Sequence, residues 1–418
     1  MSYDLLIVGA GIAGLRTGLQ TLRAHPHLRC TILEKYKYDG GRVVTYHKDL
    51  PQIGHVHWEI GAGRIAQSHT KVIALLKKYG LHYVPIAPTS DYVTTRDPTV
   101  HRPNPFSDLH DIYVEPLRSL SKEVLQSHTL GQLWEQLLGA EKARAFYIMF
   151  PYHSEMHTLR ADHGIYIFDY EMRSEAGFGV CAEGLSSLID AMVKEFLSLG
   201  GSIQHEQEVT EVTSDHPMQI RTRSGSYYEA TTCVMALHVE AMRHINGVST
   251  LPILKKIVIT PLFRMYAVFP VHKGKSWFSD IPKTVTDDRV RHIIPVDPSR
   301  GIIMISYTDG DDALYWMRQP DTKVPERVMS HIRALFPDQS IPDPTFFKLH
   351  PWKEGCSYWK PGNYDIFEES KKSMHPLKEM PGLFVCGESF AVLQCWMECA
   401  VEQADHMMEL DAFQKRFK

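Results

Sequence analysis

The chain begins on "YDLLIVGAGIAGLRTGLQTLRAHPHLRCTILEK", residues 3–35, and no other stretch constrains the fold as tightly. Residues 4–8, "DLLIV", form a short apolar run ending at a glycine, the pattern of a strand buried on both faces. Residues 12–24 carry Ile12, Leu15, Leu19 and Leu22 at helical spacing. "RCTILEK" then predicts a second buried strand ending at Glu34. Together these segments predict a βαβ unit. Gly9, Gly11 and Gly14 occupy the strand-to-helix turn, and Glu34 comes twenty residues after Gly14. Gly9 permits the tight turn, Gly11 lets a pyrophosphate approach the backbone, and Gly14 lets the helix pack on the sheet. The N–H groups opening the helix suit phosphate oxygens, and Glu34 can accept hydrogen bonds from an adenosine ribose. An acid here argues against a 2′-phosphate, which leaves NAD or FAD.

Beyond Gly40 and Gly41 the pattern loosens, until "KVIALLKKYG" (71–80) predicts a helix stopped by Gly80. Residues 85–115 are rich in Pro, Asp and Thr and read as loop or short strands; 117–150 is helix-prone and reads as an inserted segment. A helix, a Gly-Gly stop and two strands are predicted over 184–214, with a further strand over 226–237. From 257 onward strands dominate, in "IVITPLFRMYAVFPV", "RHIIPV" and "GIIMISYT", followed by a helix over 325–336. The tail returns to the opening style, with "GLFVCGES" as strand and turn and a helix over 394–410.

At 418 residues the chain exceeds one typical core, so two domains are expected. Its net charge of −4 and scattered basic residues give no nucleic-acid footprint. No apolar stretch is long enough for a membrane span. The strand at the very start predicts a chain without a targeting leader. Seven cysteines without a C-x-x-C pair predict free thiols in a reducing, cytoplasmic setting. His153 and His157 stand four apart in "HSEMH", but the H-E-x-x-H order and a third ligand are missing, so no metal is expected.

Three further segments extend the opening motif: "DGGRVVTY" (39–46), "HWEIGAGRI" (57–65) and "LFVCGESFAVLQCWMECAVEQADHM" (383–407). In this order they resemble the flavin-dependent amine oxidase family, which includes monoamine, polyamine and L-amino-acid oxidases. The resemblance covers nearly the whole chain. It implies an α/β fold, with an FAD-binding two-dinucleotide domain of the glutathione-reductase-like Rossmann type and a substrate domain of β-sheet and helices. The implied FAD domain comprises 1–80, 181–250 and 361–418, and the substrate-binding domain 81–180 and 251–360.

Carried over by position, Gly9, Gly11 and Gly14 would hold the pyrophosphate and Glu34 the ribose. Gly41 and Arg42 would lie along the diphosphate and flavin, with Gly61 and Gly63 also on the cofactor. The Val209 backbone would meet the adenine, Gly387 and Glu388 the ribityl and pyrophosphate region, and Trp352 the flavin. "GAGRI" resembles the G-A-M-R segment of L-amino-acid oxidases, so Arg64 would pair with a substrate carboxylate, or alternatively serve the cofactor. Trp396 matches the aromatic over the flavin's substrate face, with Cys395 replacing the usual glycine before it. Tyr358 or Trp359 would line the pocket. Arg264 stands where relatives often have a lysine that holds a water near the flavin, and an arginine keeps its proton there. Cys356 lies in the segment that monoamine oxidases bond to flavin. Its spacing to Pro361 and Gly362 is shorter here, so non-covalent FAD is expected.

The implied reaction moves a hydride from the amine's α-carbon to flavin N5. Water then hydrolyses the imine, and oxygen takes the electrons to give hydrogen peroxide. An L-amino acid is the expected substrate. A polyamine or monoamine, a carbon–carbon desaturation of the phytoene or protoporphyrinogen oxidase type, and a flavin-binding module without catalysis are the alternatives. A homodimer is left open.

Overall fold

The opening run "SYDLLIV" extends as a strand, Ser2–Val8, whose alternate residues face two different cores. Leu5 and Ile7 pack on one side with Leu15, Leu19 and Leu22 of the helix Ile12–Ala24. Leu6 and Val8 pack on the other with Val212, Ile220 and Met235. A strand apolar on both faces has to sit inside a sheet covered on both sides, and this one does. The structure, a computed structural model, describes residues 2–51, 53–96, 98, 100–101, 112–150, 152–172, 177–213 and 216–418.

The first sheet has seven strands. Ser202–Gln204, Cys30–Leu33, Ser2–Val8 and Tyr227–Met235 run parallel, with Met218–Thr222 and Val209–Thr213 following antiparallel. Tyr227–Met235 forks: Tyr227 to Ala230 pair with Met218–Thr222, while Cys233 to Met235 pair in parallel with Leu383–Val385 from the far end of the chain. The helices Ile12–Ala24, Ser186–Ser198 and Met397–Glu409 share one core over this sheet.

The second sheet also has seven strands, ordered Phe346–Trp359, Ile257–Val268, Ile302–Asp309, His292–Asp297, Thr284–Thr286, Asp91–Val93 and Val100–His101. Alternation along Ile257–Val268 decides what faces what. Phe263, Met265 and Ala267 enter a core with Val328, Met329 and Ile332 of the helix Val324–Leu335. Tyr266 and Val268 pack on the opposite side against Val56 and Trp58, and Arg264 and Leu262 line a cavity.

The predicted elements recur with small shifts: a helix Thr70–Lys78 before Gly80, which has φ +71°, and a helix Ser186–Ser198 before Gly200, which has φ +88°. The helix-prone segment resolves into Lys122–Ser127, Leu130–Leu138 and Ala140–Met149 around a core centred on Trp134 and Phe146. The hairpin Thr45–Leu50/Gly54–Glu59 has no counterpart in the sequence expectations. Its strand residues include His47, Lys48, Asp49, His55 and His57, which hide the apolar alternation that strand prediction reads. Part of the 85–115 expectation falls on 97, 99 and 102–111, outside the described residues. Among the described residues no helix is long and apolar enough to cross a membrane.

Candidate active site

A cavity of about 1080 Å³ collects most of the residues singled out from the sequence, though they come from distant parts of the chain. One region of its wall is the opening turn. The helix Ile12–Ala24 starts at Gly11 with no side-chain cap, and Gly11, Ile12 and Ala13 line the cavity. An uncapped helix start exposes N–H donors and a favourable dipole to whatever fills that space. Gly9 has φ +106°, and a Cβ on it would stand 2.6 Å from the Ala236 carbonyl oxygen. A Cβ on Gly14 would stand 2.1 Å from the Gly9 carbonyl oxygen. Gly14 therefore serves close packing and stays out of the cavity lining. Gly11 differs, since the nearest atom to its Cβ position is Gly40 O at 3.9 Å.

Glu34 ends the second strand with both oxygens engaged: Ala10 N donates to Oε2 at 2.8 Å and Tyr36 N to Oε1 at 2.9 Å. Burial raises its pKa, opposed by these backbone donors. It also lines the cavity, as do Val209 and His238. The glycine pair folds back onto the turn, Gly40 N donating to Ala10 O at 2.9 Å, which sets Gly41 and Arg42 beside it. A Cβ on Gly61 would stand 1.9 Å from the Arg42 carbonyl oxygen, so "GAGR" can only follow this path with glycine there.

Arg42 and Glu388 join the start and end of the sequence. Arg42 Nη2 lies 2.8 Å from Glu388 Oε2, and Arg42 Nη1 donates to Gly355 O at 2.9 Å. Glu388 further accepts from Ser357 N at 3.2 Å, Ser357 Oγ at 3.2 Å and Cys395 N at 2.7 Å. One carboxylate thus holds three segments around the cavity. Gly387 lines it too.

The opposite region is aromatic and cationic. Trp352, Tyr358 and Trp396 line it. Trp352 Nε1 donates to Ile60 O at 2.6 Å, and the Trp396 ring stacks on Phe178 at 5.9 Å. Arg64 enters between the rings of Phe178 and Tyr152, 5.2 and 5.5 Å from their centroids, and donates to the Tyr152 hydroxyl. No acidic side chain forms an ion pair with Arg64 among the described residues. Arg264 lies over the Tyr307 ring at 4.6 Å and donates to Glu59 O at 3.2 Å. Burial opposes its charge, Tyr307 and Tyr266 favour it, and the balance leaves its pKa above the ordinary value. Gly63 packs against Arg264 and Glu59. Burial, reinforced by Arg64, pulls Lys283 down to about 8. His292 stacks on Tyr307 at 5.6 Å and lies tilted against Tyr152 at 4.9 Å, neither ring nitrogen hydrogen-bonded among the described residues, and burial with the positive charges of Lys283 and Arg64 holds it far below its usual range.

This donor set can hold a dinucleotide: uncapped N–H groups and Arg42 for a diphosphate, Glu34 for ribose hydroxyls, and flat rings for an aromatic ring system. The model of the flavin-containing amine oxidoreductases matches residues 12–406. The chain belongs to that family. Its enzymes are flavoproteins that oxidise amines, so a flavin cofactor and amine oxidation hold for this chain. Solved structures of putrescine oxidase share the fold. A single mutant from a redesign of that enzyme's cofactor binding superposes with a TM-score of 0.78 at 15% identity, covering 99% of both chains. A double mutant from the same redesign gives 0.76 at 14% identity, over 98% of this chain and 100% of that one. The wild type bound to putrescine gives 0.75 at 14% identity, over 97% of both. No curated protein sequence matches the chain. The expected α/β flavoenzyme fold is therefore the fold of this amine oxidoreductase.

One expected pocket residue lies elsewhere. Trp359 is fully buried, with Nε1 donating to Ala391 O at 3.1 Å, and it packs in the core behind the first sheet. Strand alternation explains this: Tyr358 faces the cavity, so its neighbour must face away. Tyr152, Glu155, Tyr307 and Asp309 line the cavity without having been singled out. Glu155 sits inside "HSEMH", where the flanking histidines drew attention to metal binding; their rings lie 4.3 Å apart. Asp309 accepts from His153 N at 2.9 Å and Ser154 N at 2.7 Å, fixing the segment that carries Glu155 and Tyr152. No spacing rule links position 309 to position 153, so sequence carried no signal for it.

Proposed function

We propose that this amine oxidoreductase binds FAD non-covalently and oxidises an L-amino acid, with oxygen as electron acceptor. The observation that carries the substrate class is Arg64, a guanidinium on the cavity wall held by aromatic faces and a tyrosine hydroxyl rather than by a carboxylate. Arg264 and Lys283 act on Arg64 together with one acid, Glu155, so cations outnumber the acid around it, and a guanidinium fork matches a carboxylate in two bonds. Bound flavin supplies a two-electron acceptor for the hydride leaving the carbon that bears nitrogen. The protein's part is positioning. Arg64 anchors the carboxylate, Tyr358 and Trp396 present aromatic faces to the amine, and the buried surroundings exclude water.

Gly9, Gly11, Glu34, Gly41, Arg42, Gly61, Gly63, Val209, Trp352, Gly387 and Glu388 are assigned to the cofactor, with Gly14 packing the helix that binds its phosphates. The first sheet, drawn from 2–33, 202–235 and 383–385, supports 1–80, 181–250 and 361–418 as the FAD domain. The second supports 81–180 and 251–360 as the substrate domain.

A second reading, a diamine or polyamine substrate, is favoured by Glu155, an acid on the same cavity wall that could receive a second ammonium group. Anaerobic bleaching of the flavin by a panel of L-amino acids and α,ω-diamines separates the two. Amino acids should bleach it, and Arg64→Met, which removes both bonds of the fork, should raise KM for them by at least about 10–100-fold, the worth of one charge-assisted hydrogen bond, with little change in flavin content. Bleaching by diamines alone overturns the Arg64 assignment. Loss of flavin from Arg64→Met would move that residue to the cofactor.

A further inference from the structure

Of the seven cysteines, five are buried in the cores, and only Cys356 and Cys395 line the cavity. Cys356 lies on the strand Phe346–Trp359, and Cys395 in the turn before the helix Met397–Glu409. Cys395 Sγ donates to Ser357 O at 3.4 Å, the carbonyl of the residue next to Cys356, and the Cys356 thiol stands close enough to help raise the Cys395 pKa. The two backbones are clamped by a single atom, since Glu388 Oε1 accepts from both Ser357 N at 3.2 Å and Cys395 N at 2.7 Å. Cys395 also holds φ +72°, a conformation that glycine adopts freely and a cysteine adopts only under strain. Neither amine positioning nor the cofactor contacts assigned above use these thiols.

We propose that Cys356 and Cys395 form a redox-active dithiol in the cavity wall, a modification site that reacts with low-molecular-weight disulfides. The Cys356 thiolate attacks one sulfur of R–S–S–R, forming a mixed disulfide and releasing one thiolate. The Cys395 sulfur then displaces the second, so the Cys356–Cys395 bond forms and the small disulfide leaves as two thiols. The two cysteines lose two electrons, the small disulfide gains them, and the two cysteine protons end on the released thiols. Burial, with Cys356 beside it, raises the Cys395 pKa, so Cys395 is the slower thiol and acts second, giving its proton to the departing small thiolate as its sulfur closes the bond. The bond would tie the wall carrying Tyr358 to the wall carrying Trp396, so the thiol state would set the spacing of the two aromatic faces assigned to the substrate.

The test is to reduce the flavin-loaded protein, remove the reductant and incubate it with oxidised glutathione. Thiols are then titrated in denaturant, and peptides are mapped without reduction. Two of the seven thiols should disappear, a peptide should join 356 to 395, and dithiothreitol should reverse both. Cys395→Gly relieves the positive φ and so preserves the local backbone; in that variant Cys356 should carry glutathione with no cross-link. Seven titratable thiols in the wild type, or a glutathione adduct persisting on wild-type Cys356, overturns the proposal. The readout needs no amine, so it stands apart from the substrate assignment.

Discussion

Replacing Glu388 should weaken the molecule more than any single contact suggests, because four donors converge on one buried carboxylate. Arg42 Nη2, Ser357 N, Ser357 Oγ and Cys395 N approach within 2.8, 3.2, 3.2 and 2.7 Å. Glu388→Ala strands the guanidinium and the two backbone N–H groups. Breaking a buried ion pair from one side costs about 3–5 kcal/mol. Arg42 keeps its bond to Gly355 O, and its side chain retains 28% exposure, which places the expected loss near the lower figure, about 3 kcal/mol. Glu388→Gln can keep an acceptor for the two backbone donors on Oε1, but it replaces the Oε2 that meets Arg42 and Ser357 Oγ by an amide nitrogen, so about 2 kcal/mol is expected. Denaturant unfolding of the flavin-loaded proteins at one fixed excess of FAD measures both, since bound ligand would otherwise shift the midpoints. The expected order is wild type, Gln, Ala. A Glu388→Ala protein within about 0.5 kcal/mol of wild type would show that surrounding water or a shifted Arg42 replaces these bonds, and that the four donors do not depend on this carboxylate.

Three further outcomes are expected. Gly14→Ala places a methyl group 2.1 Å from the Gly9 carbonyl oxygen, so the turn must open; flavin content on purification should fall sharply while the same change at exposed Gly225 has no such effect. Glu59 accepts from Leu185 N at 2.7 Å and Thr45 Oγ1 at 3.0 Å, yet burial pushes its pKa up to about 7. A raised carboxyl pKa means the folded state holds a proton that the unfolded chain releases. Stability should therefore fall as pH rises from about 4.5 to about 7, by on the order of 3 kcal/mol, and Glu59→Gln should flatten that slope in unfolding curves at several pH values. Trp359→Phe loses the bond to the Ala391 carbonyl and should lower unfolding stability by about 1–3 kcal/mol, leaving KM unchanged; a large KM effect would place its ring at the substrate after all.

Local chemistry made part of this protein legible in advance. The run before Gly9, the helical spacing of Leu15, Leu19 and Leu22, and the acid at Glu34 point to a βαβ unit, with Gly9 and Gly11 in the turn and Gly14 where the helix meets the strand. Gly80 and Gly200 end their helices because glycine reaches positive φ without a Cβ clash. The hairpin Thr45–Leu50/Gly54–Glu59 was not legible, because its histidines and charged residues mask the alternation and its stability comes from Trp58 stacking on Tyr266, 4.9 Å away and more than two hundred residues along the chain.

The cofactor turn, the positions that need glycine and the family are therefore all readable from the order of residues alone. Each of these depends on neighbours within a few residues or on short motifs whose order survives. Which side chains share the cavity depends instead on how the two sheets pack. That packing turns Trp359 into the core, brings Tyr152 to Arg64, and closes Arg42 onto Glu388 across 346 positions. Facing on a strand flips with each residue, and pairs so distant in sequence meet only because two sheets and their cores fix them.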